Sequence, residues 1–377
     1  MAGKPSRGLA DVVVASTAVS DIDGRDGRLS YRGYDIRQLA GAVTFEEVAY
    51  LLQRGAPPGR AELAAYRAEL AAGRALGPAV RGSLAAVARA QPPMAALRTL
   101  VSLAAADDPE PGSGPPDGLA TAARLTARQP VLVAAVRAAR DGAPLPEPDP
   151  GLGLAANFLL QLSGRAPEPR AAEIFDACLV LQADHLMTAS TFAARVCAAT
   201  LADLHAAVVA ALAALSGRLH GAASDLVMGE LEAARAAGGD PVAAAADRVS
   251  AQLRRGEPVT GFGHRAYQGR DPRAELLREL SAELAGRGDD TYHRMAGRVE
   301  DIVLAERGLY PNADFYAATV YHYLGIPAGL RTPVLSVARM AGWTAHILEQ
   351  YADNRLIRPG SAYTGETGLT WIPVADR

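Results

Sequence analysis

The sequence predicts a mostly all-α fold, with short strands only near the N-terminus. Hydrophobic residues make up 49% of the chain and aromatic residues only 5%, so alanine, leucine and valine must fill the core. Alanine and leucine are among the residues that favour helices most. Apolar residues also recur at helical spacing through residues 45–52 and 61–72. With 377 residues the chain can bury a large core, and its length suggests two domains.

The first elements in chain order are predicted strands. Short apolar runs at residues 12–14 and 29–31 flank a connection rich in Asp and Gly, residues 21–27. Such runs on either side of a connection of this kind are typical of strands joined by turns. We therefore expect two short N-terminal strands, one on each side of residues 21–27.

Helices are predicted from residue 44 onward. Thr44 is the residue type of an N-cap, and Glu47, three residues later, would complete a capping box. Two segments rich in proline, 107–117 and 144–150, interrupt the helical pattern, which resumes directly after each. We interpret both as surface loops rather than interdomain linkers, and residues 238–241 as a turn between two helices.

Composition argues against several classes of protein. The net charge of −3 does not fit a protein that coats nucleic acid. No apolar run reaches the roughly eighteen residues of a membrane span, and the first residues lead into no apolar region of a signal peptide. Cys178 and Cys197 lie in apolar helical sequence without metal-ligand spacing. We therefore expect two structural thiols in a reducing cytoplasm.

The segment 261–273 carries an unusual concentration of functional groups. It holds His264, Asp271 and three arginines, and two glycines precede the histidine. Glycine allows a close backbone approach or a positive φ, a neutral imidazole donates a hydrogen bond, and guanidinium groups bind carboxylates. This combination suits the polarisation of a carbonyl group on a small, carboxylate-rich molecule. Composition alone nevertheless favours a solvated basic loop.

The order of residues in this segment resembles the signature of the citrate synthase family. Gly261, Phe262, Gly263 and His264 are consecutive, and Arg273 follows nine residues after the histidine. Eight further motifs resemble that family in the same order. They lie at residues 27–36, 44–52, 156–160, 183–195, 219–222, 309–316, 338–346 and 354–359. Each motif is weak by itself, but together they cover nearly the whole chain.

The resemblance implies a fold and an assembly. Residues 1–221 and 333–377 would form a large helical domain, and residues 222–332 a small helical domain that closes over it. The sequence from 223 to 332 is more charged, which is compatible with a smaller and more exposed domain. Composition alone does not give this boundary. The resemblance also implies a homodimer.

The resemblance further implies the condensation of an acyl-CoA with a 2-oxo acid. This reaction needs a base that removes a weakly acidic methyl proton from the thioester. It also needs one donor for the resulting enolate oxygen and another that polarises the ketone. By resemblance, Asp314 is the base, His220 is the donor to the thioester oxygen and His264 is the donor to the ketone.

The residue pattern by itself leaves other roles open for two of these residues. His220 precedes a predicted helix, whose positive end would disfavour protonation and leave a neutral N–H donor. A histidine at that place could equally serve only to cap the helix. Asp314 also precedes a predicted helix, and the pattern alone supports no more than an N-cap.

Substrate-binding residues follow from the same resemblance. Arg273, Arg339 and Arg358 would bind the carboxylates of the oxo acid, with Arg358 supplied by the partner subunit, and His185 would contact the oxo acid. Arg339 has apolar neighbours, and a lone arginine on such a helix face is costly without an anion. We expect structural roles for Arg355, His205, His293, His322 and His346.

CoA is expected to bind along the signature segment. Gly261, Phe262 and Gly263 would line its site, and Arg270 would contribute to phosphate binding. A basic residue is common in the family at the position of Gln268, so Arg270 would have to compensate from a different place. No metal or redox cofactor is expected, because the sequence shows no ligand cluster. The CoA thioester is a substrate.

Two further positions depart from the family. Ala222 stands where a second glycine usually follows the histidine. Alanine there would cost about 1 kcal/mol if φ is positive, and otherwise it adds a methyl group beside the acyl site. Thr188 stands where asparagine is usual, which replaces a carboxamide by a shorter hydroxyl. We therefore expect an altered oxo-acid pocket.

The predicted activity is a Claisen-type condensation of acetyl-CoA with oxaloacetate, followed by hydrolysis of the thioester to citrate and CoA. A 2-methylcitrate synthase that uses propionyl-CoA, or a variant with another acyl group or oxo acid, is the alternative within the family. An inactive relative that binds CoA or a polycarboxylate is the alternative of another class. The presence of His220, His264 and Asp314 argues against that inactive relative.

Overall fold

The computed structural model describes residues 6–9, 12–108 and 118–377, and the fold within these ranges is predominantly helical, as predicted. It contains sixteen α-helices in those described ranges. They are α1 (Ile36–Leu39), α2 (Phe45–Arg54), α3 (Arg60–Gly73), α4 (Pro78–Ala90), α5 (Pro93–Ala104), α6 (Gly118–Asp141), α7 (Leu154–Ser163), α8 (Pro169–Gln182), α9 (Ala189–Ala198), α10 (Leu204–Leu215), α11 (Ala223–Ala236), α12 (Pro241–Arg254), α13 (Pro272–Ala285), α14 (Thr291–Arg307), α15 (Ala313–Tyr323) and α16 (Arg331–Ala352).

A small antiparallel sheet precedes the helices. Its strands, β1 (Ser20–Asp23), β2 (Arg28–Tyr31) and β3 (Tyr34–Asp35), lie in the order β1-β2-β3. Ser20 pairs with Tyr31 at the open end of the β1–β2 hairpin. The predicted strand at 29–31 is thus confirmed.

The predicted strand at 12–14 is wrong. These residues are not in a strand, and Val13 is 90% exposed. The first strand instead uses residues 20–23, most of which had been assigned to the connection. A tight turn at 24–27, with Gly27 at a φ of 59°, brings those residues opposite β2. Local pairing across this turn therefore decides the strand, despite the higher β propensity of the valines.

Helix α2 begins as predicted. The Glu47 main-chain N–H donates to Thr44 Oγ1 at 3.4 Å, and the Thr44 N–H donates to the Glu47 carboxylate at 2.8 Å. This reciprocal capping satisfies two main-chain donors that a helix leaves without partners at its start. Phe45, Val48 and Leu52 then lie fully buried on one face of the helix.

Helix α16 runs through the core and is buried along most of its length. It packs against α2, α6, α9 and α10. A helix that is enclosed on all sides has little freedom to shift. Arg339 and Trp343, both buried in this helix, are therefore held on a rigid element.

Helices α11 to α15 pack largely on one another. The chain enters this group after Gly221 and leaves it before Thr332, and Thr332 Oγ1 donates to the Gly221 carbonyl at 2.8 Å. Arg170 of α8 forms a bidentate ion pair with Glu283 of α13, with Nε–Oε1 at 2.8 Å and Nη2–Oε2 at 2.7 Å. These helices lie within the predicted small domain, residues 222–332, whose boundary stays a prediction.

The predicted turn at 238–241 separates α11 from α12, and the predicted loop at 144–150 separates α6 from α7. Most of the other predicted loop, residues 109–117, lies outside the described residues. Cys178 is buried, Cys197 is half-buried, and both are free thiols. Within the described ranges, no helix combines the length and the apolar character that crossing a membrane requires.

Candidate active site

Three side chains from two separate connections meet at the candidate site. His185 lies between α8 and α9, whereas His264 and Tyr267 lie between α12 and α13. His185 Nε2 is 3.2 Å from the Tyr267 hydroxyl, and the ring centroids of His185 and His264 are 5.0 Å apart. Burial, assisted by the charges of Arg273 and Arg339, holds the pKa of His185 well below its usual 6.5. His185 is therefore neutral at pH 7.

The bonds of His264 determine which ring nitrogen carries its proton. The main-chain N–H groups of Ala266 and Tyr267 both donate to His264 Nδ1, at 2.9 and 3.3 Å. Burial, and then the charge of Arg273, lowers the pKa of His264 to about 4. The neutral ring must carry its proton on Nε2 because Nδ1 accepts these bonds. His264 can therefore donate a hydrogen bond to a carbonyl oxygen.

His220 is oriented in the same manner by a different element. It lies in the turn between α10 and α11, and its Nε2 accepts from the Ser190 main-chain N–H at 3.3 Å. Ser190 Oγ lies 2.8 Å from the same nitrogen and accepts from Trp343 Nε1 at 3.2 Å. Burial, and then the charge of Arg339, lowers the pKa of His220 to about 4. Burial is thus the largest cause of this pKa shift.

Asp314 lies in the first turn of α15 and is not its N-cap, which is the role that the residue pattern alone supports. The N-cap is Asn312, whose side-chain oxygen accepts from the Asp314 main-chain N–H at 3.1 Å. The Asp314 carboxylate is therefore free of capping, and its Oδ1 accepts from Ser224 Oγ at 3.2 Å. Burial raises the pKa of Asp314, although the charge of Arg273 opposes this shift. A raised pKa makes a carboxylate a stronger base.

Two buried arginines lie near these groups. Arg273 holds Asp271 in a bidentate ion pair, with Nε–Oδ1 at 3.0 Å and Nη2–Oδ2 at 2.7 Å. Arg339 is only 6% exposed, and its Nη1 has no hydrogen-bond partner among the described residues. Burial lowers the pKa of Arg339, and the nearby charge of Arg273 lowers it further. A carboxylate at this position would relieve both effects.

Arg358 is not brought to this site within one chain. It lies in the segment that follows α16, where residues 353–377 are almost entirely exposed. The same segment exposes large apolar side chains, including Tyr363, Leu369, Trp371 and Ile372. The role predicted for Arg358 needs a second copy of the chain, so it stays a prediction.

The two glycines of the signature segment both have a positive φ. Gly261 has a φ of 87° and Gly263 a φ of 76°, in a region that favours glycine. Gly261 also lies against α15, because a Cβ at this position would come within 2.9 Å of the Phe315 ring. The Gly263 N–H donates to the Tyr310 carbonyl, and the Asn312 N–H donates to the Gly261 carbonyl. These bonds join the His264 segment to the start of the Asp314 helix.

The other predicted CoA-binding side chains flank this connection. The Phe262 ring packs on that of Phe315, with centroids 4.6 Å apart. The Arg270 guanidinium lies over the Tyr310 ring and 3.7 Å from Glu300. Arg270 is half exposed, so it can leave these contacts for an anion. Phosphate binding by Arg270 stays a prediction.

The structure clarifies the positions that depart from the family. Ala222 has a φ of −80°, so alanine is not strained there and only its methyl group matters. Thr188 is the N-cap of α9, and its Oγ1 accepts from the Thr191 N–H at 3.3 Å. Gln268 is exposed, and its main-chain N–H donates to the Gly24 carbonyl at 2.9 Å.

Sequence reasoning missed several residues that hold the site together. Ser190 and Ser224 orient His220 and Asp314, and Tyr267 contacts His185. No local pattern could have revealed these partners, because each contact joins segments that are far apart in the chain.

One histidine expected to be structural lies close to the site. His346 is fully buried, as a core histidine would be, and its Nε2 lies 3.2 Å from Asp184 Oδ2. Asp184 directly precedes His185 in the chain. His346 therefore supports the backbone that carries a predicted substrate-binding residue.

Comparison with known proteins identifies the family of this chain. A family model for the citrate synthase C-terminal domain matches residues 8–360. The chain is 46% identical to a citrate synthase of Haloferax volcanii, with 100% of both chains covered. It is 42% identical to citrate synthase 2 of Bacillus subtilis, with 99% of each covered. It is also 37% identical to a 2-methylcitrate synthase of Shewanella oneidensis, with 98% of this chain and 97% of the relative covered.

Solved structures show the same fold. Citrate synthase from Pyrobaculum aerophilum superposes with a TM-score of 0.90 at 38% identity, covering 98% of this chain and 95% of that chain. Citrate synthase from Thermoplasma acidophilum, solved as a ternary complex with carboxymethyl coenzyme A and oxaloacetate, superposes with a TM-score of 0.92 at 28% identity, covering 99% of this chain and 100% of that chain. The chain therefore belongs to the citrate synthase family and is an enzyme of its acyltransferase type.

Proposed function

We propose that this protein condenses acetyl-CoA with oxaloacetate and hydrolyses the resulting thioester to citrate and CoA. The observation that carries the proposal is the state of two histidines. His220 and His264 each accept hydrogen bonds from a main-chain N–H at one ring nitrogen, and each has a pKa lowered to about 4. Both are therefore neutral donors at pH 7, as an enolate and a ketone require.

The first step is removal of a methyl proton from the thioester. Asp314 takes this proton, and its raised pKa makes it a better base than an ordinary aspartate. The electron pair of the broken C–H bond moves to the thioester oxygen as the enolate forms. His220 donates its Nδ1–H to that oxygen, because its Nε2 is engaged by Ser190.

The second step forms the carbon–carbon bond. The enolate carbon attacks the ketone carbon of the oxo acid, and the ketone oxygen takes the proton of His264 Nε2 to become an alcohol, which leaves His264 to be reprotonated in the hydrolytic step. The carboxylates of the oxo acid bind Arg339, whose Nη1 lacks a partner in the described chain, and Arg273. His185, neutral and beside His264, donates a further hydrogen bond to the oxo acid. Water then returns a proton to His264, the resulting hydroxide cleaves the thioester, and the CoA thiolate that leaves takes the proton held by Asp314.

The proposal includes a homodimer in which Arg358 binds the substrate of the partner subunit. Arg358 is exposed, and the segment around it exposes apolar side chains that a second copy could cover. Mixing two inactive variants tests this arrangement. Dimers of Asp314→Asn with Arg358→Ala subunits would contain one intact site, so activity should return on mixing. Failure to regain activity in proven mixed dimers would contradict a shared site.

The proposal also covers the residues that bind CoA, the cellular compartment of the protein and domain closure. Gly261, Phe262 and Gly263 would face CoA, and Arg270 would bind a phosphate once it leaves Glu300. A reducing cytoplasm suits the two free cysteines. Domain closure by residues 222–332 would exclude water during proton transfer.

An acyl-CoA panel distinguishes the proposed function from its alternatives. Release of free CoA thiol would be measured with a thiol reagent, for acetyl-CoA and propionyl-CoA against several 2-oxo acids. The proposal expects the highest kcat/KM for acetyl-CoA with oxaloacetate. A preference for propionyl-CoA would indicate the activity named for the Shewanella oneidensis relative. Tight oxaloacetate binding in calorimetry without any thiol release would indicate an inactive binding protein.

A further inference from the structure

The β1–β2 hairpin contacts both segments that carry the facing histidines. Its open end, where Ser20 pairs with Tyr31, lies against the segment around His185. Its turn, residues 24–27, lies against the segment that follows His264. In the predicted division of the chain, the hairpin belongs to the large domain and His264 to the small one. One short element thus reaches across the candidate site.

At the open end, the hairpin holds both neighbours of His185. Ser20 Oγ donates to Asp184 Oδ2 at 2.5 Å and accepts from the Leu186 N–H at 3.1 Å. The Tyr31 hydroxyl donates to the Asp184 carbonyl at 3.1 Å. Leu186 has a φ of 54°, which is unfavourable for leucine and needs such bonds to persist. The backbone on each side of His185 is therefore held by the hairpin.

At the turn, the hairpin lies unusually close to the other segment. The Gln268 N–H donates to the Gly24 carbonyl at 2.9 Å. A Cβ built on Gly24 would lie 1.8 Å from the Ala266 carbonyl oxygen, a distance that real atoms do not reach. Gly24 does not have a positive φ, so close approach alone requires glycine at this position.

The residues pressed by the turn are also those that orient His264. Ala266 contacts Gly24 through its carbonyl and donates its own N–H to His264 Nδ1. The neighbouring Tyr267 N–H donates to the same nitrogen, and the Tyr267 hydroxyl reaches His185. A displaced turn would therefore displace the two N–H groups that orient the imidazole of His264.

We propose that the β1–β2 hairpin sets the spacing and orientation of His185 relative to His264, with Ser20 and Gly24 as positioning residues. This inference rests on the proposed function, in which both histidines bind the oxo acid. In this proposal the hairpin has a positioning role and no part in the chemical steps. It limits how closely the segments that carry His185 and His264 can approach each other.

The test is Gly24→Ala, which adds one methyl group against the Ala266 carbonyl. The turn and the loop must separate by more than 1 Å, and misplacement on this scale can lower a rate by about 10²-fold. We expect kcat to fall about 10- to 100-fold and the KM for oxaloacetate to rise about tenfold, while the KM for acetyl-CoA changes by less than about threefold. Calorimetric binding of oxaloacetate should weaken in parallel.

Arg25→Ala is the matched control. Arg25 lies in the same turn and is exposed, and the bond recorded for it is local, from its main-chain N–H to Asp23. Its replacement should leave both KM values, kcat and the unfolding midpoint unchanged. Ser20→Ala tests the other end of the hairpin, and it should raise the KM for oxaloacetate more than that for acetyl-CoA.

Wild-type kcat and oxaloacetate KM in folded Gly24→Ala would overturn the inference. Equal effects on both substrates would also overturn it, because they indicate general destabilisation. If Gly24→Ala does not fold, Ser20→Ala decides by the same comparison. Failure of the unmodified protein to condense any pair would refute the proposed function instead. Calorimetric binding of oxaloacetate to the wild type and Gly24→Ala would then still test the hairpin.

Discussion

The imidazole of His185 stands edge-on to that of His264, with their ring planes 81° apart and their centroids at 5.0 Å. Two cationic rings at this distance would repel strongly in a buried site. Both rings instead have lowered pKa values, mainly because they are buried, and the charges of Arg273 and Arg339 add to those shifts. The neutral histidines and Arg339, whose Nη1 has no partner within the described ranges, thus suit the binding of a negatively charged ligand.

Acid should destabilise the protein through these histidines. The pKa of His220 and of His264 is about 4 in the folded protein and 6.5 as the ordinary value. The unfolded state therefore binds more protons between these values, and stability falls as pH decreases from about 6.5 to 4. The slope should approach about 1.4 kcal/mol per pH unit for each histidine. Urea unfolding measured against pH should show a smaller slope in His264→Gln, and an unchanged slope would contradict the shift.

Replacing Asp314 by asparagine should abolish turnover. The amide keeps the shape of the side chain and can still accept from Ser224, but it cannot remove a methyl proton. Loss of a general base usually lowers the rate by about 10²–10⁴. Oxaloacetate binding, followed by calorimetry, should remain nearly intact. A variant with more than about a tenth of the wild-type rate would show that another group is the base.

Replacing Arg339 or Arg358 by lysine should weaken the binding of the oxo acid far more than that of the acyl-CoA. Lysine keeps the charge but loses the fork that binds a carboxylate through two parallel hydrogen bonds. The measurement is the KM of each substrate with the other held at saturation. A similar increase in both constants would mean that these arginines are structural.

Ser190→Ala should lower kcat through His220. The change removes the hydroxyl 2.8 Å from His220 Nε2 and leaves the main-chain donor in place. We expect a rate about tenfold lower with little change in the KM for oxaloacetate, since a catalytic hydrogen bond is weakened rather than a binding contact. Ser216→Ala, an exposed position whose hydroxyl bonds within its own turn, is the control. An unchanged kcat in Ser190→Ala would show that the Ser190 hydroxyl does not contribute to catalysis.

The double change Thr188→Asn with Ala222→Gly should improve the use of oxaloacetate. Asparagine can keep the N-cap of α9 while restoring an amide, and glycine removes a methyl group without relieving strain, since φ is −80°. A substrate group left unpaired costs about 1–3 kcal/mol, so kcat/KM should rise about tenfold or more. Efficient use of oxaloacetate by the unmodified protein, with no gain in the double variant, would make these departures neutral variation.

Local sequence patterns predicted local structure well. The capping box of Thr44 and Glu47 depends on residues three apart, so its chemistry can be read directly from the sequence. The positive φ values of Gly261 and Gly263 also follow from residue type. The strand expected at 12–14 was wrong because strand choice depends on a pairing partner, which local propensity does not specify.

The prediction of the site residues depended on the order of motifs along the chain rather than on local patterns. The order of motifs identified His220, His264 and Asp314, whereas residue patterns alone favoured ordinary capping roles for two of them. The supporting partners could not be predicted. Ser190 is 30 residues from His220, and His346 is 162 residues from Asp184, so folding alone brings them together. Likewise, only the structure identifies Asn312 as the cap that leaves the Asp314 carboxylate free.

The contact between Gly221 and Thr332 has a topological consequence. Helices α11 to α15 form a closed excursion of the chain, because its departure and return points are already within hydrogen-bond distance. Such an excursion can be lengthened, shortened or exchanged without stretching the backbone on either side. Helices α11 to α15 can therefore vary in length while the buried helix that carries Arg339 and Trp343 keeps its place.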